Sequence, residues 1–258
     1  MTMHDHTELT QDRIGHLKER LEREITKKIC PLDVTAWQAP GEPVSFEEAV
    51  VANYRPFPPG TWWGAPWSTW WLHVTGTLPE GHAGDEIDLS MDLGFVGDWA
   101  GNQSEAMVYT SSGRPLKALN PRNHRVALNH GALAQRFADE GEPLIVTDGG
   151  VERWVEAAGN PDMTLHLGGP TELGDRRTAG DEPLWQFRGA ELSVRRKEVW
   201  DLWLDIDVLD GLMRQLPSDS THRARLLHGL EQAADEVDLH GIFAGAGQAR
   251  EILAGYLG

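Results

Sequence analysis

The sequence predicts a mainly β protein with helical flanks, in which a β-sandwich follows one helix and precedes a helical segment. Two changes in hydrophobic period carry this prediction. Apolar residues first recur every three or four positions, then alternate with polar residues, and return to the longer spacing after about Glu191. The corresponding segments are an N-terminal amphipathic helix at 1–30, a β-sandwich domain at 31–190 and a helical segment at 191–258.

The N-terminal helix is predicted from four apolar residues that step by three or four among charged ones, which places them on one helical face. We expect this helix to run from about 9 to 28. Pro31 should end it, because proline lacks the amide hydrogen that a helix interior needs. The four apolar residues are Ile14, Leu17, Leu21 and Ile25.

The central segment alternates apolar and polar residues from Trp37 to about Arg188, with breaks at Gly, Pro and Asn, as is typical of an all-β sandwich. The clearest strand starts at Ile87, where every second residue is apolar until Gly94. Because strand side chains point to alternate faces, this strand should be buried on one side.

Two hairpins are predicted from glycine-containing turns. Segments 105–109 and Pro115–Leu119 flank Ser112-Gly113, where Gly113 can supply a positive φ. Segments 144–147 and 154–158 flank Asp148-Gly149-Gly150 in the same way.

The C-terminal segment predicts helices. Apolar residues step by three and four from Val199 to Leu216, and Pro217 ends this first helix. A second helix follows with Leu226, Leu230 and Val237 on one face, and a weaker third runs from about 248 to 257. The third has no obvious partner for its apolar face, so either it docks on its own domain or a neighbour is missing beyond the last residue.

Charge and composition restrict the partners. The chain has 40 acidic and 23 basic side chains and a formal net charge of -17, which would repel nucleic acid and anionic membranes. We therefore expect no nucleic-acid or membrane partner. A sugar is neutral and would not be repelled. The single cysteine, Cys30, and the lack of a signal-like or membrane-spanning run predict a cytoplasmic location.

Tryptophans are concentrated between residues 60 and 74 of the sequence. Alternation places Trp70 and Trp71 on opposite faces of a strand, so at least one should belong to the core. Trp62, Trp63 and Trp67 precede that strand in a loop bounded by Gly and Pro. These three are the candidate site residues, either for binding carbohydrate or for packing against another domain.

Motifs for catalysis are absent from the sequence. It has no His-Glu-x-x-His run, Gly-x-Ser-x-Gly elbow, phosphate-binding loop or Cys-x-x-Cys pair. We therefore assign no catalytic or metal-binding residue and no cofactor. Four aspartates lie on the first C-terminal helix, mostly opposite its apolar face, and we interpret them as a solvated surface. They are Asp201, Asp205, Asp207 and Asp210.

Histidines His73, His124, His130 and His166 lie in or near predicted strands. Their spacing does not show whether they gather in three dimensions, and a dispersed histidine is usually a surface or hydrogen-bonded residue.

Longer stretches of the sequence carry a family resemblance. They are GTWWGAPWSTWWLHV, EIDLSMDLGF, SEAMVYTSSGRPLKALNPRNH, WVEAAGNP and VWDLWLDIDVLDGLMRQLP. In this collinear order, from the first helix through RARLLHGLEQAADEVDL, the chain resembles the N-terminal, non-catalytic region of cytosolic-type α-mannosidases of glycoside hydrolase family 38. The resemblance implies a galactose-binding-like, jelly-roll β-sandwich with a helix before it and helices after it.

The same resemblance implies a parent reaction, the zinc-dependent retaining hydrolysis of terminal α-mannosides. The His-x-His-x-Asp-x-x-Trp-type run that announces the family's catalytic domain is absent here, so no zinc ligand or nucleophile is carried over. We expect this chain alone to be inactive and to act as a scaffold. Its expected partners are the catalytic domain of the same enzyme, a second copy in a homo-oligomer, or carbohydrate.

Two rival functions remain open from the sequence. One is a free-standing carbohydrate-binding module that uses the Trp-rich loop, and the other is a pure oligomerisation module.

Overall fold

A computed structural model describes residues 3–41, 44–97, 104–146, 148–159 and 180–257. The chain divides into two compact units. The β unit is Lys28–Val194, and the helical unit combines Met1–Lys27 with Arg195–Gly258. The predicted class, mainly β with helical flanks, is confirmed.

The first strand of the β unit starts at Thr26, just before the boundary of the unit at Lys28. Its strands are β1 (Thr26–Pro31), β2 (Asp33–Gln38), β3 (Arg55–Pro56), β4 (Trp62–Trp63), β5 (Ser68–Thr77), β6 (Ile87–Asp92), β7 (Ser104–Tyr109), β8 (Pro115–Leu119), β9 (Arg125–Ala127), β10 (Gly150–Gly159), β11 (Trp185–Gln186) and β12 (Gly189–Arg195). Its helices are α2 (Phe46–Ala49) and α3 (Gly131–Asp139).

Two sheets and a short ribbon build the β unit. One sheet has the order β1-β12-β6-β9, and the other has the order β3-β2-β5-β10-β7-β8. The ribbon pairs β11 with β4. Both sheets contribute to one hydrophobic core, which includes Leu72 and Val155 from the larger sheet and Leu89 and Leu192 from the smaller. Burial of these two inner faces is what makes the unit a sandwich.

The predicted strand at Ile87 is confirmed as β6, which pairs with β12 and β9. Ile87, Leu89 and Met91 are fully buried. Asp88 on the other face is also buried, where its carboxylate Oδ1 lies 2.7 Å from Nε2 of His130. The strand is therefore covered on both faces at this point, whereas the alternation predicted a single buried face.

The first predicted hairpin is confirmed by the antiparallel pairing of β7 with β8. Gly113 has φ of 86°, in the left-handed region that glycine adopts without steric cost. The turn is closed by hydrogen bonds from the Gly113 amide to the Thr110 carbonyl (3.1 Å) and from the Thr110 amide to the Arg114 carbonyl (2.9 Å).

The second predicted hairpin is wrong. Residues 154–158 lie inside β10, which pairs with β5 on one edge and β7 on the other. With both edges occupied, β10 has no place for a third neighbour, and Leu144 to Val146 form no strand. Instead, the Gly149 amide donates to the Val146 carbonyl (2.8 Å) and the Val146 amide to the Gly150 carbonyl (3.1 Å), which makes a compact turn.

The N-terminal helix ends earlier than predicted. Helix α1 is Met3–Glu24, and the residues expected to complete it form strand β1. The reason is tertiary: β1 joins the edge of the smaller sheet beside β12, and Ile29 and Cys30 pack against the sandwich core. A strand partner that lies far along the chain overrides the local helical pattern.

The helical unit contains α1, α4 (Lys197–Gln215), α5 (Thr221–His240) and α6 (Ile242–Leu257). The predicted stripes on α4 and α5 are confirmed, since Leu202, Ile206 and Leu230 are buried in one core with α1. Helix α6 begins six residues before the predicted 248. Its apolar face packs into the same core through Ala246, Ala249 and Leu253, so of the two alternatives left open by the sequence, docking on its own unit is the one observed. No helix in the described part of the chain has the length and apolar character needed to cross a membrane.

An aromatic cluster covers the outer face of the larger sheet. Trp71 and Trp154 are buried there beneath α2, and Trp71 stacks on Tyr109 with ring centroids 5.5 Å apart. Phe46 of α2 packs edge-on against both tryptophans, with centroids 6.0 and 6.2 Å away. Tyr54 donates its hydroxyl to the Ala49 carbonyl (3.1 Å). This second apolar layer outside the sandwich was not predicted. The alternation did predict that Trp71 and Trp70 lie on opposite faces of their strand, and they do.

Gly113→Ala should destabilise the β unit for two reasons. An added Cβ would stand 2.6 Å from Cδ1 of Phe46, whose ring is held against Trp71 and Trp154, and alanine disfavours a positive φ. Strain and overpacking together should lower the free energy of unfolding by about 2–4 kcal/mol, measured by urea denaturation.

Gly81→Ala is the matched control for this change. Gly81 also has positive φ (97°), but an added Cβ would meet nothing within 4 Å. It should lose only about 1 kcal/mol. Equal losses in the two variants would show that the contact with Phe46 contributes nothing.

Alkaline pH should destabilise the β unit through two tyrosines. Burial and a hydrogen bond to Glu156 raise the pKa of Tyr109 to about 12, and burial also raises the pKa of Tyr54. Between about pH 10 and 12 the unfolded chain releases phenolic protons that the folded chain retains, so stability falls as pH rises through this window.

The double variant Tyr54→Phe/Tyr109→Phe should lose less unfolding free energy between pH 9 and 11 than the unaltered chain, as measured by urea denaturation at each pH. The comparison of slopes removes other groups that titrate there, such as buried Arg153, whose pKa is lowered to about 10 by desolvation. Parallel pH profiles for the two proteins would contradict the prediction.

Candidate functional site

The tryptophan-rich loop and the β4–β11 ribbon sort their side chains into two faces. Trp63 lies opposite Trp185 in the ladder, and Trp62 lies opposite Gln186. Directly opposed residues share one face of a ribbon. Trp63 and Trp185 are each only 1% exposed, whereas Trp62 is 56% exposed and Gln186 is exposed beside it. The ribbon thus presents an indole and an amide on its outer face.

Trp63 is a core residue, which corrects its assignment as a site residue. Its indole Nε1 donates to the carbonyl of Leu93 at 2.8 Å, and its ring packs edge-on against Trp70 with centroids 6.3 Å apart. A buried indole with a satisfied N–H stabilises the sandwich but offers no face to a ligand or a partner domain.

Trp67 is the second exposed indole, and its backbone is strained. It follows Pro66 and has φ of 63°, and the Ser68 amide donates to the Ala65 carbonyl at 3.0 Å. Proline followed by a positive φ inside such a bond is a type II turn, in which the second central position favours glycine. The Trp67 side chain is 44% exposed. Together with Trp62, it stays a predicted site residue.

The loop around these tryptophans is held by close backbone contacts. Gly64 packs on Gly159, so that a Cβ added to Gly159 would stand 2.7 Å from the Gly64 Cα. A Cβ on Gly64 would stand 2.8 Å from Cδ1 of Trp185. The Trp67 amide donates to the Gly159 carbonyl at 2.9 Å. These contacts hold the loop against β10 and β11.

The chemistry available at this surface is apolar and neutral. No Asp, Glu, Lys, Arg or His occurs between Phe57 and Leu72. The arrangement can therefore stack a flat apolar surface and form neutral hydrogen bonds, but this segment has no ionisable group to act as an acid or base or to activate its Ser and Thr hydroxyls.

Three of the four histidines named from the sequence are described, and each contacts a different partner. His73 stacks on Trp154 with ring centroids 4.0 Å apart, and its Nε2 lies 2.7 Å from a carboxylate oxygen of Glu152. His130 contacts Asp88, while Nδ1 of His124 lies 3.0 Å from the Pro121 carbonyl. His166 lies outside the described residues.

The four aspartates of α4 take part in ion pairs rather than forming an open solvated face. Asp201 and Asp205 accept hydrogen bonds from Arg250 at 3.0 and 2.8 Å. Asp210, predicted to be solvated, is buried with its side chain 5% exposed, and it pairs with Arg214 at 2.9 Å. Asp207 pairs with Lys18 at 2.7 Å. These carboxylates hold helices of the unit together.

Two further features of the structure are Cys30 and a cavity at the start of α4. Burial raises the pKa of the Cys30 thiol, which disfavours the reactive thiolate. A cavity of about 340 Å³ at the start of α4 has its cations already paired, Arg196 with Glu24 and Lys197 with Asp201. It is lined by Arg196, Lys197, Glu198, Val199 and Phe243.

Zinc, the metal that the resemblance implies for the parent enzyme, finds no fitting donor set in the described part of this chain. No group of three or more His, Cys, Asp or Glu there is arranged to hold a metal ion.

Gln186 is the candidate residue that the sequence did not indicate, exposed and opposite Trp62 in the ribbon. The run Leu184 to Phe187 does alternate, with Trp185 and Phe187 buried and Gln186 exposed between them. The signal was present but too short, and the pairing with Trp62 joins segments far apart in the chain.

Comparison with known proteins gives matches over most of the chain. Residues 30–193 match the family model described as alpha-mannosidase, jelly roll domain. Alpha-mannosidase 2C1 of Homo sapiens is 25% identical and that of Mus musculus 24% identical, each over 209 residues. The alignments cover 81% of this chain but 18% of each relative, so the chain spans less than a fifth of the length of these curated relatives.

The resemblance inferred from the sequence motifs is thereby confirmed, and so is the jelly-roll type of the sandwich. Because the family model covers well over half of the 258 residues, the chain belongs to the alpha-mannosidase jelly roll domain family.

Proposed function

We propose that this chain is the N-terminal, non-catalytic part of an α-mannosidase, in which the jelly roll acts as a scaffold for a catalytic domain elsewhere in the polypeptide. One observation carries the proposal. The jelly-roll model accounts for residues 30–193, while more than four-fifths of each relative named Alpha-mannosidase 2C1 lies outside the aligned part.

The activity proposed for the whole enzyme is hydrolysis of terminal α-mannosides. We carry zinc dependence and a retaining mechanism as parts of this proposal, both assigned to residues outside this chain. The proposed contribution of this chain is structural, through the β unit and the helical unit, each with its own core.

The proposed partners and location follow from the same assignment. The catalytic domain of the same enzyme is the first partner, a second copy of the chain in a homo-oligomer is another, and the proposed location is the cytoplasm. The net charge of -17 supports partners other than nucleic acid or anionic membrane.

This chain should not hydrolyse an aryl α-mannoside, with or without added Zn²⁺, because its part in the enzyme is structural. The measurement is release of the aryl alcohol over hours at neutral pH, against a buffer blank. A full-length α-mannosidase serves as the positive control. Turnover that is saturable and increases with the concentration of this chain would refute the proposal.

A further inference from the structure

We propose that Trp62, Gln186 and Trp67 form a binding surface for the apolar C–H face of a neutral pyranoside. The inference goes beyond the scaffold role, since a scaffold needs no ligand. Only the choice of mannose as the first sugar to test rests on the proposed function.

Trp62 and Gln186 lie side by side on the ribbon. As directly opposed residues on the outer face of the ribbon, their Cβ atoms should lie about 4.5–5.5 Å apart. The Gln186 amide donates to the Gly60 carbonyl at 3.2 Å. That bond occupies one of its two N–H donors, leaving the other N–H and the carbonyl oxygen to meet sugar hydroxyls while the indole meets the C–H face.

Trp67 has a strained backbone conformation. A tryptophan at φ of 63° occupies a position where glycine would be unstrained, and nearly half of its side chain remains in solvent. The fold thus strains its backbone at an indole that it covers only in part. Such strain at an exposed aromatic residue indicates a contact made outside the fold.

The loop that carries Trp67 is held in place by close backbone contacts. Gly64 lies against Gly159 and Trp185, and the Trp67 amide is tied to the Gly159 carbonyl. A ligand would meet a loop that is already ordered, so little conformational entropy is lost on binding.

The absence of charge on the loop favours a neutral ligand. The sixteen residues from 57 to 72 contain no ionisable side chain, although the chain as a whole carries -17. An anionic ligand would be repelled and a cationic one would find no counter-charge on this loop. A neutral ring with axial C–H groups on one face matches both the indoles and the amide.

The experiment is saturation-transfer NMR of methyl α-mannopyranoside with the full chain, followed by the same measurement with methyl β-glucopyranoside and sorbitol. We expect a dissociation constant on the order of 1–10 mM for a pyranoside, with saturation strongest at the ring C–H protons. Sorbitol should give no saturable signal because it has no rigid C–H face.

Three variants test the named residues. Trp62→Ala and Trp67→Gly should each weaken binding about tenfold, and Gln186→Ala about threefold. Trp67→Gly should also keep or raise the melting temperature, because it relieves backbone strain. Phe243→Ala, which removes an exposed aromatic ring from the helical unit, is the matched control and should bind as the unaltered chain does.

Some outcomes overturn the inference. They are the absence of saturable binding of either pyranoside up to roughly 50 mM, unchanged binding in Trp67→Gly, or a large loss of stability in that variant, which would assign the indole to the fold. Binding of the glucoside without the mannoside supports the site but separates it from mannoside chemistry. The turnover assay tests the scaffold proposal independently of all these results.

Discussion

The antiparallel ladder between β5 and β10 determines where the aromatic residues of the β unit lie. It pairs ten residues of each strand, from Gly150 with Thr77 to Gly159 with Ser68. A shift of one residue would exchange the two faces, moving Leu72 out of the sandwich and Trp71 into it. The inner core, the outer aromatic cluster beneath α2 and the attachment of the tryptophan loop at Gly159 all depend on this register.

Prediction from sequence succeeded where an element has one long apolar face. The β6 alternation and the α4 stripe are local patterns that persist over many residues, so they define their elements without knowledge of the partner. It failed where a distant partner decides. Thr26–Pro31 includes the end of the predicted helix but pairs in a sheet, and Leu144 forms no strand because β10 already has two neighbours. The nine-residue α3 was too short to be recognised.

The candidate site shows the same division. Composition identified the loop, and two of its three predicted residues, Trp62 and Trp67, do lie at the surface. The inward direction of Trp63 depends on its pairing with Trp185, and the role of Gln186 on its pairing with Trp62. In the helical unit, the buried Asp210 pairs with Arg214, which a helical wheel of α4 places four positions on, and with Lys18 of α1, which that wheel does not reveal.

The contact between Gly64 and Gly159 has an evolutionary consequence. When two side chains touch, growth of one can be offset by shrinkage of the other, and the positions then vary together. Here both partners already have the smallest residue, and any Cβ on Gly159 meets main-chain atoms of Gly64 that cannot be trimmed. Among descendants of this sequence the two positions should therefore stay invariant rather than co-vary, while the exposed Trp62 and Trp67 on either side of Gly64 are free to change.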